Sequence, residues 1–266
     1  MTMLSKVPSR VFTLAWFWLG LTVVWCGPLS AAEFRVLTYN IHHGRGLDDN
    51  VDLQRIAKVI KSAEPDLVAL NEVDKGVNRS GNMDEPAELG KLTGMYAAFE
   101  KNIDHDGGEY GNAILSRWPI QKTENVRLPS LYQGEQRGML MVHIEPEDGQ
   151  PLWFAATHLD YRPDNAERLA SAKMIEQLMA NRFGRQPVLL AGDFNAQPNS
   201  RVIKQFSQNW LVADSEHTFP ANKPVRRIDY VMAQPANLWK VKSAKVLDAP
   251  VESDHRPVLV VLYLVD

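Results

Sequence analysis

The stretch "VLLAGDFNAQPNS", residues 188 to 200, runs four apolar residues straight into Gly192, Asp193, Phe194 and Asn195, with Pro198 behind them. A short apolar run bounded by glycine and proline reads as a buried strand. Its end then carries a carboxylate and an amide. Taken singly, such a strand-end residue is a turn or cap group.

The pattern repeats along the chain. Phe34 to Tyr39 reads as a strand ending in "TYNIHHG", which delivers Asn40, His42 and His43. Asp66 to Leu70 reads as a second strand ending in "LNEVD", with Glu72. "WFAATHLDY" delivers His158 and Asp160, "RRIDYVM" delivers Asp229, and "ESDHRPV" delivers Asp254 and His255. On their own, His158 reads as a hydrogen-bonded core residue, His43 as exposed loop, and Asp160 as a turn or helix cap. Glu72 is different, because an unpaired carboxylate at the end of an apolar strand costs several kcal/mol on the order-of-magnitude scale for buried charges. A cation would remove that cost.

Between these motifs lie helical patterns at Val51 to Ala63, with Leu53, Ile56, Ala57 and Ile60 on one face, and at Asp164 to Arg182, with Leu169, Ala172, Ile175 and Met179 inward. "MYAAFEKN", "GNAILSR", "GMLMVHIE" and "LWFAATHL" read as successive strands, the last two joined by the turn-rich "EPEDGQP". Further strands are expected at 187 to 192, 227 to 233, 240 to 247 and 257 to 264. The longest polar insertion, "DKGVNRSGNMDEPAELG", has a tail compatible with a short helix. Many strands, few helices and no composition break after Glu33 predict one α+β domain over residues 33 to 266, with sheets packed together and helices outside. No internal repeat is visible.

Residues 1 to 32 differ in kind. Lys6 and Arg10 precede an apolar run from Val11 to Trp25, followed by Gly27, Pro28 and "SAAE". This is the layout of a secretory signal peptide cleaved after Ala32. An uncleaved membrane anchor and lipoprotein processing at Cys26 are the alternatives; the run is short for a spanning helix, and the bulky Trp25 fits poorly before a lipidated cysteine. Cleavage removes two of the 29 basic residues and none of the 32 acidic ones, which takes the net charge to −5. It also removes the only cysteine. The remaining chain has no disulfide, thiol nucleophile or thiolate metal site, so any metal must sit on oxygen or imidazole. A grip on long nucleic acid calls for a basic stripe, and the densest basic group, Lys223, Arg226 and Arg227, reads as a solvated surface.

The polar residues collected at strand ends suit one task. Glu72, Asp193 and Asp254 with Asn40 and Asn195 form an oxygen-rich set for Mg2+ or Mn2+. Asp229 has the chemistry to orient His255, and His255 with His158 to move protons or meet charge on a phosphoryl oxygen. That is phosphoester hydrolysis in outline.

"YNIHHG", "LNEVD", "GNAILSRWPI", "THLD", "GDFNAQP", "RIDYVM" and "SDHRPV", in this order, resemble the endonuclease/exonuclease/phosphatase superfamily, the phosphoesterases related to deoxyribonuclease I. The resemblance covers nearly all of residues 33 to 266. It implies a four-layer α/β/β/α sandwich of two mainly antiparallel sheets. It implies that Asn40 and Glu72 serve a metal site, Glu72 as principal ligand, with Asp254 nearby. Asp193 and His255 would share the activation of water, Asp229 would hold His255, Asn195 would bind a phosphate oxygen, and His158 would contact the phosphate or protonate the leaving oxygen. Tyr110 and Asn112 would face the same end. Arg79 and Arg137 are candidates for substrate phosphate.

Departures narrow the choice. Abasic-site nucleases of the superfamily carry an acidic residue after the first Asn and a tyrosine motif at the "THLD" position, where this chain has His42 and His158. The remaining expectation is an exported phosphoesterase, periplasmic or secreted, more a phosphodiesterase than a monoesterase. Its substrate is extracellular nucleic acid or a phospholipid or inositol-phosphate head group, and no obligate protein partner is evident in a monomer. A non-catalytic binding protein on the same fold is the rival reading.

Overall fold

In the computed structural model, residues 32–147 and 150–265 are described. The leader expected over residues 1 to 32 lies outside them except for Ala32.

Twelve strands and four α-helices follow in chain order: β1 (Glu33–Asn40), α1 (Leu53–Ala63), β2 (Leu67–Lys75), α2 (Glu85–Thr93), β3 (Tyr96–His105), β4 (Gly108–Ser116), β5 (Ile120–Arg127), β6 (Gly138–Ile144), β7 (Leu152–His158), α3 (Ala166–Arg182), β8 (Val188–Asp193), α4 (Arg201–Phe206), β9 (Leu211–Val212), β10 (Asp229–Gln234), β11 (Trp239–Val246) and β12 (Val258–Leu264). They form two six-stranded sheets, in the orders β11-β12-β1-β2-β4-β3 and β5-β6-β7-β8-β10-β9.

The two sheets share one plan. Each has a central parallel pair, β1 with β2 and β7 with β8, joined through a helix, α1 or α3. All other pairings are antiparallel. Both sheets carry this scheme although the sequence shows no repeat, because the plan lies in hydrogen-bond order and the filling residues differ.

Alternation along the strands builds three apolar layers. Val36, Leu67 and Val260 of the first sheet meet Leu140, Phe154 and Leu189 of the second. The opposite face of the first sheet, with Leu37, Val68 and Leu115, lies under Ile56 and Ile60 of α1 and Leu89 of α2. Met141, Leu190 and Tyr230 lie under Ala172, Ile175 and Met179 of α3 and Ile203 of α4. This is the four-layer sandwich. Asp52 caps α1 by accepting from the N–H groups of Gln54 and Arg55, so the helix begins two residues later than its apolar period suggests. Leu169, expected inward on α3, packs at the margin and is half-buried.

The strand expected at Asp66 to Leu70 runs on to Lys75, with a register break between Leu70 and Val73. Glu72 therefore sits in a bulge inside β2, with φ +56°. The polar insertion after it folds back through α2, whose first residue, Glu85, is fully buried. Glu85 Oε2 accepts from the Asp74 N–H at 2.8 Å, while Oε1 is buried without a partner. Burial, with the nearby Asp74 adding to it, pushes the Glu85 carboxyl up to about 8.

The folded chain therefore holds a proton there that the unfolded chain has released above its ordinary value of 4.5. Stability is expected to be greatest at mildly acidic pH and to fall as pH rises towards 8 and above, by on the order of a few kcal/mol. Glu85→Gln keeps the acceptor and removes the titration, so melting temperature against pH should lose this slope in the variant. An identical slope in both proteins would refute the assignment.

Candidate active site

The polar strand ends converge because the two parallel pairs point their carboxyl ends the same way. Asp193 closes β8 and is paired directly with His158 on β7 and with Asp229 on β10. Directly opposed residues present side chains to the same face, so register alone sets these three groups side by side. On the facing sheet Asn40 ends β1, and the bulge in β2 turns Glu72 towards it.

Asp193 is the link between the sheets. Its Oδ2 lies 3.4 Å from His158 Nε2 and 3.7 Å from His255 Nε2. Asn40 Nδ2 donates to the same oxygen at 3.3 Å and to Glu72 Oε1 at 2.9 Å. Oδ1 accepts from the Asn195 N–H at 2.8 Å. The Asp193 N–H donates to Asn71 Oδ1 at 2.9 Å, and Asn71 Nδ2 donates to the Thr157 carbonyl and to Asn112 Oδ1. Asn112 in turn donates to the Gly138 carbonyl. Asn112, expected to face the site, is therefore buried between the sheets, tying them together behind Asp193.

The two imidazoles differ in charge for physical reasons. Asp229 contacts His255 Nδ1 at 3.0 Å and also accepts from the Thr218 hydroxyl. Burial pulls His255 downwards, but Asp229 and Asp193 together outweigh it and raise it well above the usual histidine range. Burial first, then the cations Arg137 and His255, push His158 well below that range, although Asp193 lies 3.4 Å away. His255 thus carries a proton and His158 is neutral. Asn195 Nδ2 lies 3.1 Å from His158 Nε2, and the ring's tautomer decides which of the two donates. Burial, then repulsion from Asp229, raises the Asp193 carboxyl.

These groups open into a hollow of about 390 Å3. Glu72, Tyr110, Arg137, His158, Asp193, Asn195, Asp254 and His255, all expected from the sequence, line it. Glu135, Tyr161, Phe219 and Arg226 line it as well. Of the basic group expected on a solvated surface, Lys223 and Arg226 are exposed, with the Arg226 guanidinium 4.5 Å over the Phe219 ring at the rim, whereas Arg227 is buried and paired with Asp214. Arg79 does not join the lining, because it pairs through two hydrogen bonds of 2.9 Å with the buried Asp74. Arg137 is buried, held to Glu135, with Nε lacking a partner. Asp160 is likewise buried and bound to Arg162, and is neither an open turn nor a cap. Larger hollows, of about 490 to 580 Å3, lie along α1 and α2 but gather no comparable chemistry.

Two sets of donors have the spacing to hold an ion among the described residues: His42, His43 and Glu72, and Asp193, Asp229 and His255. Asp254 belongs to neither, although its Oδ1 is 3.9 Å from His42 Nδ1. His43, expected in an exposed loop, is 5% exposed. Burial, with Arg79 next, lowers it to about 4, so its ring is neutral.

Residues 37–255 match the model of the endonuclease/exonuclease/phosphatase family. The chain belongs to that family. Its members are hydrolases acting on phosphoester bonds, and this chain is one. It is 28% identical over 248 residues to the uncharacterized protein YbhP of Escherichia coli strain K12, covering 87% of this chain and 97% of that protein. An endonuclease/exonuclease/phosphatase from Beutenbergia cavernae superposes with a TM-score of 0.70 at 26% identity, over 87% of this chain and 72% of that one. The human Nocturnin catalytic domain with bound sulfate anion gives a TM-score of 0.68 at 22% identity, over 88% and 95% of the chains.

The residues the sequence did not single out fall into two groups. Asn71 had a signal, since it adjoins Glu72 in "LNEVD" and a buried amide demands partners. Glu135, Tyr161 and Phe219 had none, because loops bring them to the rim.

Proposed function

We propose that the chain is an exported, divalent-metal-dependent phosphodiesterase that cleaves the P–O bond by direct attack of water. The observation that carries this reading is the position of Asp193 Oδ2, within 3.7 Å of both imidazoles and bonded to the amide that also holds Glu72. One carboxylate thus serves a proton-handling half and a metal-handling half. Residues of the family's motifs, carried over to this chain, support the same roles.

A divalent ion fits beside Glu72, whose bulged carboxylate is steadied by Asn40. Such an ion would supply positive charge to the phosphoryl group and to the attacking water. Asp193 accepts the proton of the attacking water. His255, kept protonated by Asp229, faces the charge that develops on the phosphoryl oxygens. Asn195 and His158, whose side chains meet at 3.1 Å on the lining, face a phosphate oxygen together, Asn195 donating to it when its amide leaves the His158 ring. Asn71 fixes the backbone of Asp193 so that its carboxylate stays on line.

Charge favours a diester. The lining holds Glu72, Glu135, Asp193 and Asp254 against Arg137, Arg226 and protonated His255. The balance is slightly negative without a cation and slightly positive with a divalent one, which suits a monoanion better than a dianion. Tyr161 and Phe219 on the rim offer apolar surface to groups flanking the phosphate. The acidic net charge favours a small or head-group diester over long nucleic acid. Export rests on the leader's layout.

The test compares bis(p-nitrophenyl) phosphate with p-nitrophenyl phosphate. The diester is expected to turn over faster, with activity lost in chelator and restored by a divalent ion. His255→Ala should lower kcat by about 100- to 10,000-fold. Chelator-resistant turnover, or preference for the monoester, would overturn the reading.

A further inference from the structure

The hydrolytic reading employs Glu72 but leaves the two histidines beside it without a task. His42 and His43 follow β1 in successive left-handed conformations, φ +46° and +44°, and Glu72 sits at φ +56°. Such geometry costs about 1–3 kcal/mol per non-glycine residue and persists only where its surroundings impose it. Its result is convergence: a ring nitrogen from each histidine and a carboxylate oxygen of Glu72 lie within 4.8 Å of one another. The rings meet edge to face, 4.5 Å apart.

Neither ring is otherwise engaged at Nδ1. In both, that atom is buried without a hydrogen-bond partner. Asp254 Oδ1, 3.9 Å from His42 Nδ1, is too far to bond yet close enough to add an oxygen at the open side. Buried unpaired imidazole nitrogens are a cost that a cation removes.

We infer that His42, His43 and Glu72, with Asp254 at the rim, form a centre that selects a borderline divalent transition ion, Zn2+ or Co2+, over Mg2+. The inference rests on the reading that Glu72 holds the divalent ion, and goes further by naming the class of ion. Mg2+ demands oxygen donors and keeps much of its water, whereas neutral imidazole favours ions later in the first transition row. A site with two imidazoles and one carboxylate matches the donor chemistry of zinc centres. It departs from the Mg2+ or Mn2+ that the sequence alone suggested.

The experiment uses the purified full-length chain, stripped by chelator and titrated calorimetrically with ZnCl2, CoCl2 and MgCl2. The visible absorption of bound Co2+ gives a second readout. Zn2+ should bind at least about 100-fold more tightly than Mg2+, consistent with the preference of imidazole sites. His42→Ala and His43→Ala should each weaken Zn2+ binding by about 10- to 100-fold and change the Co2+ spectrum, with Mg2+ affinity within about threefold. Glu72→Gln should weaken both ions. Because His43 is buried, the half-exposed His42 supplies the variant that keeps the fold. Equal affinities for Zn2+ and Mg2+, or Zn2+ binding unaffected by loss of His42, would overturn the inference while leaving Glu72 as a metal ligand. Absence of binding by either ion would remove the metal reading with it.

Discussion

Asp193→Asn is expected to lower kcat by about 10,000-fold, the upper range for loss of a positioned proton acceptor in a site that also stabilises charge. The substitution is nearly isosteric, and the Asn71 bond to the backbone N–H at 2.9 Å is untouched. The change falls on Oδ2. An amide there cannot accept from water, and presents a second donor to Asn40 Nδ2 and to protonated His255. Meanwhile the buried carboxylate that faces Asp229 is gone, so the variant should melt no lower than the parent, the usual trade between site and stability. His255 also loses one of the two carboxylates that raise it, so its titration, followed by NMR, should move down. A folded variant that keeps turnover within tenfold of the parent would remove Asp193 from the reaction.

Gly192→Ala should be the most damaging glycine-to-alanine change among the described residues, costing more than about 3 kcal/mol in chemical denaturation, the range reserved for named steric failures. Gly192 has φ +147°, and a Cβ there would lie 1.8 Å from the Thr157 carbonyl oxygen. That carbonyl belongs to the neighbouring strand at the register position that also sets His158 beside Asp193. Neither backbone can retreat without separating β7 from β8. Gly81→Ala is the control: φ is +72°, but nothing lies within 4 Å of the added methyl. It should cost about 1 kcal/mol, the conformational penalty alone. Similar losses in both variants would show that close approach at Gly192 contributes nothing.

The glycine before Asp193 could be read from "LLAGDFN", because an apolar run that stops at glycine and carboxylate needs a reason. So could most strands and α1, whose apolar period is strong, while in α3 that period is diluted by the buried Glu167, Arg168 and Ser171. Elsewhere the signal was ambiguous. Glu72 stood out as chemistry but not as a bulge, since β2 continues through "NEVDK" after a register break that only its pairing with β4 creates. The strand β5, "IQKTENVR", is polar and half-exposed, and gives no alternation to find. Asn71 and Asn112 act between sheets, a relation with no spacing in sequence. Arg226 and Phe219 reach the rim through the loop before β10, where composition alone described a solvated turn.

The division of the site between two sheets of one plan has a temporal side. Asn40 and Glu72 leave the ribosome early, on the first parallel pair. His158 and Asp193 come with the second, and His255 follows all of them in the chain. Until the second sheet is laid on the first, Asp193 has neither Asn40 nor the Asn71 amide to receive its backbone, and until β12 is in place it lacks His255. A chain whose sheets have not met therefore lacks the assembled site. The reacting groups become one site only where the two sheets meet, so the docking of the sheets and the making of the site are a single event.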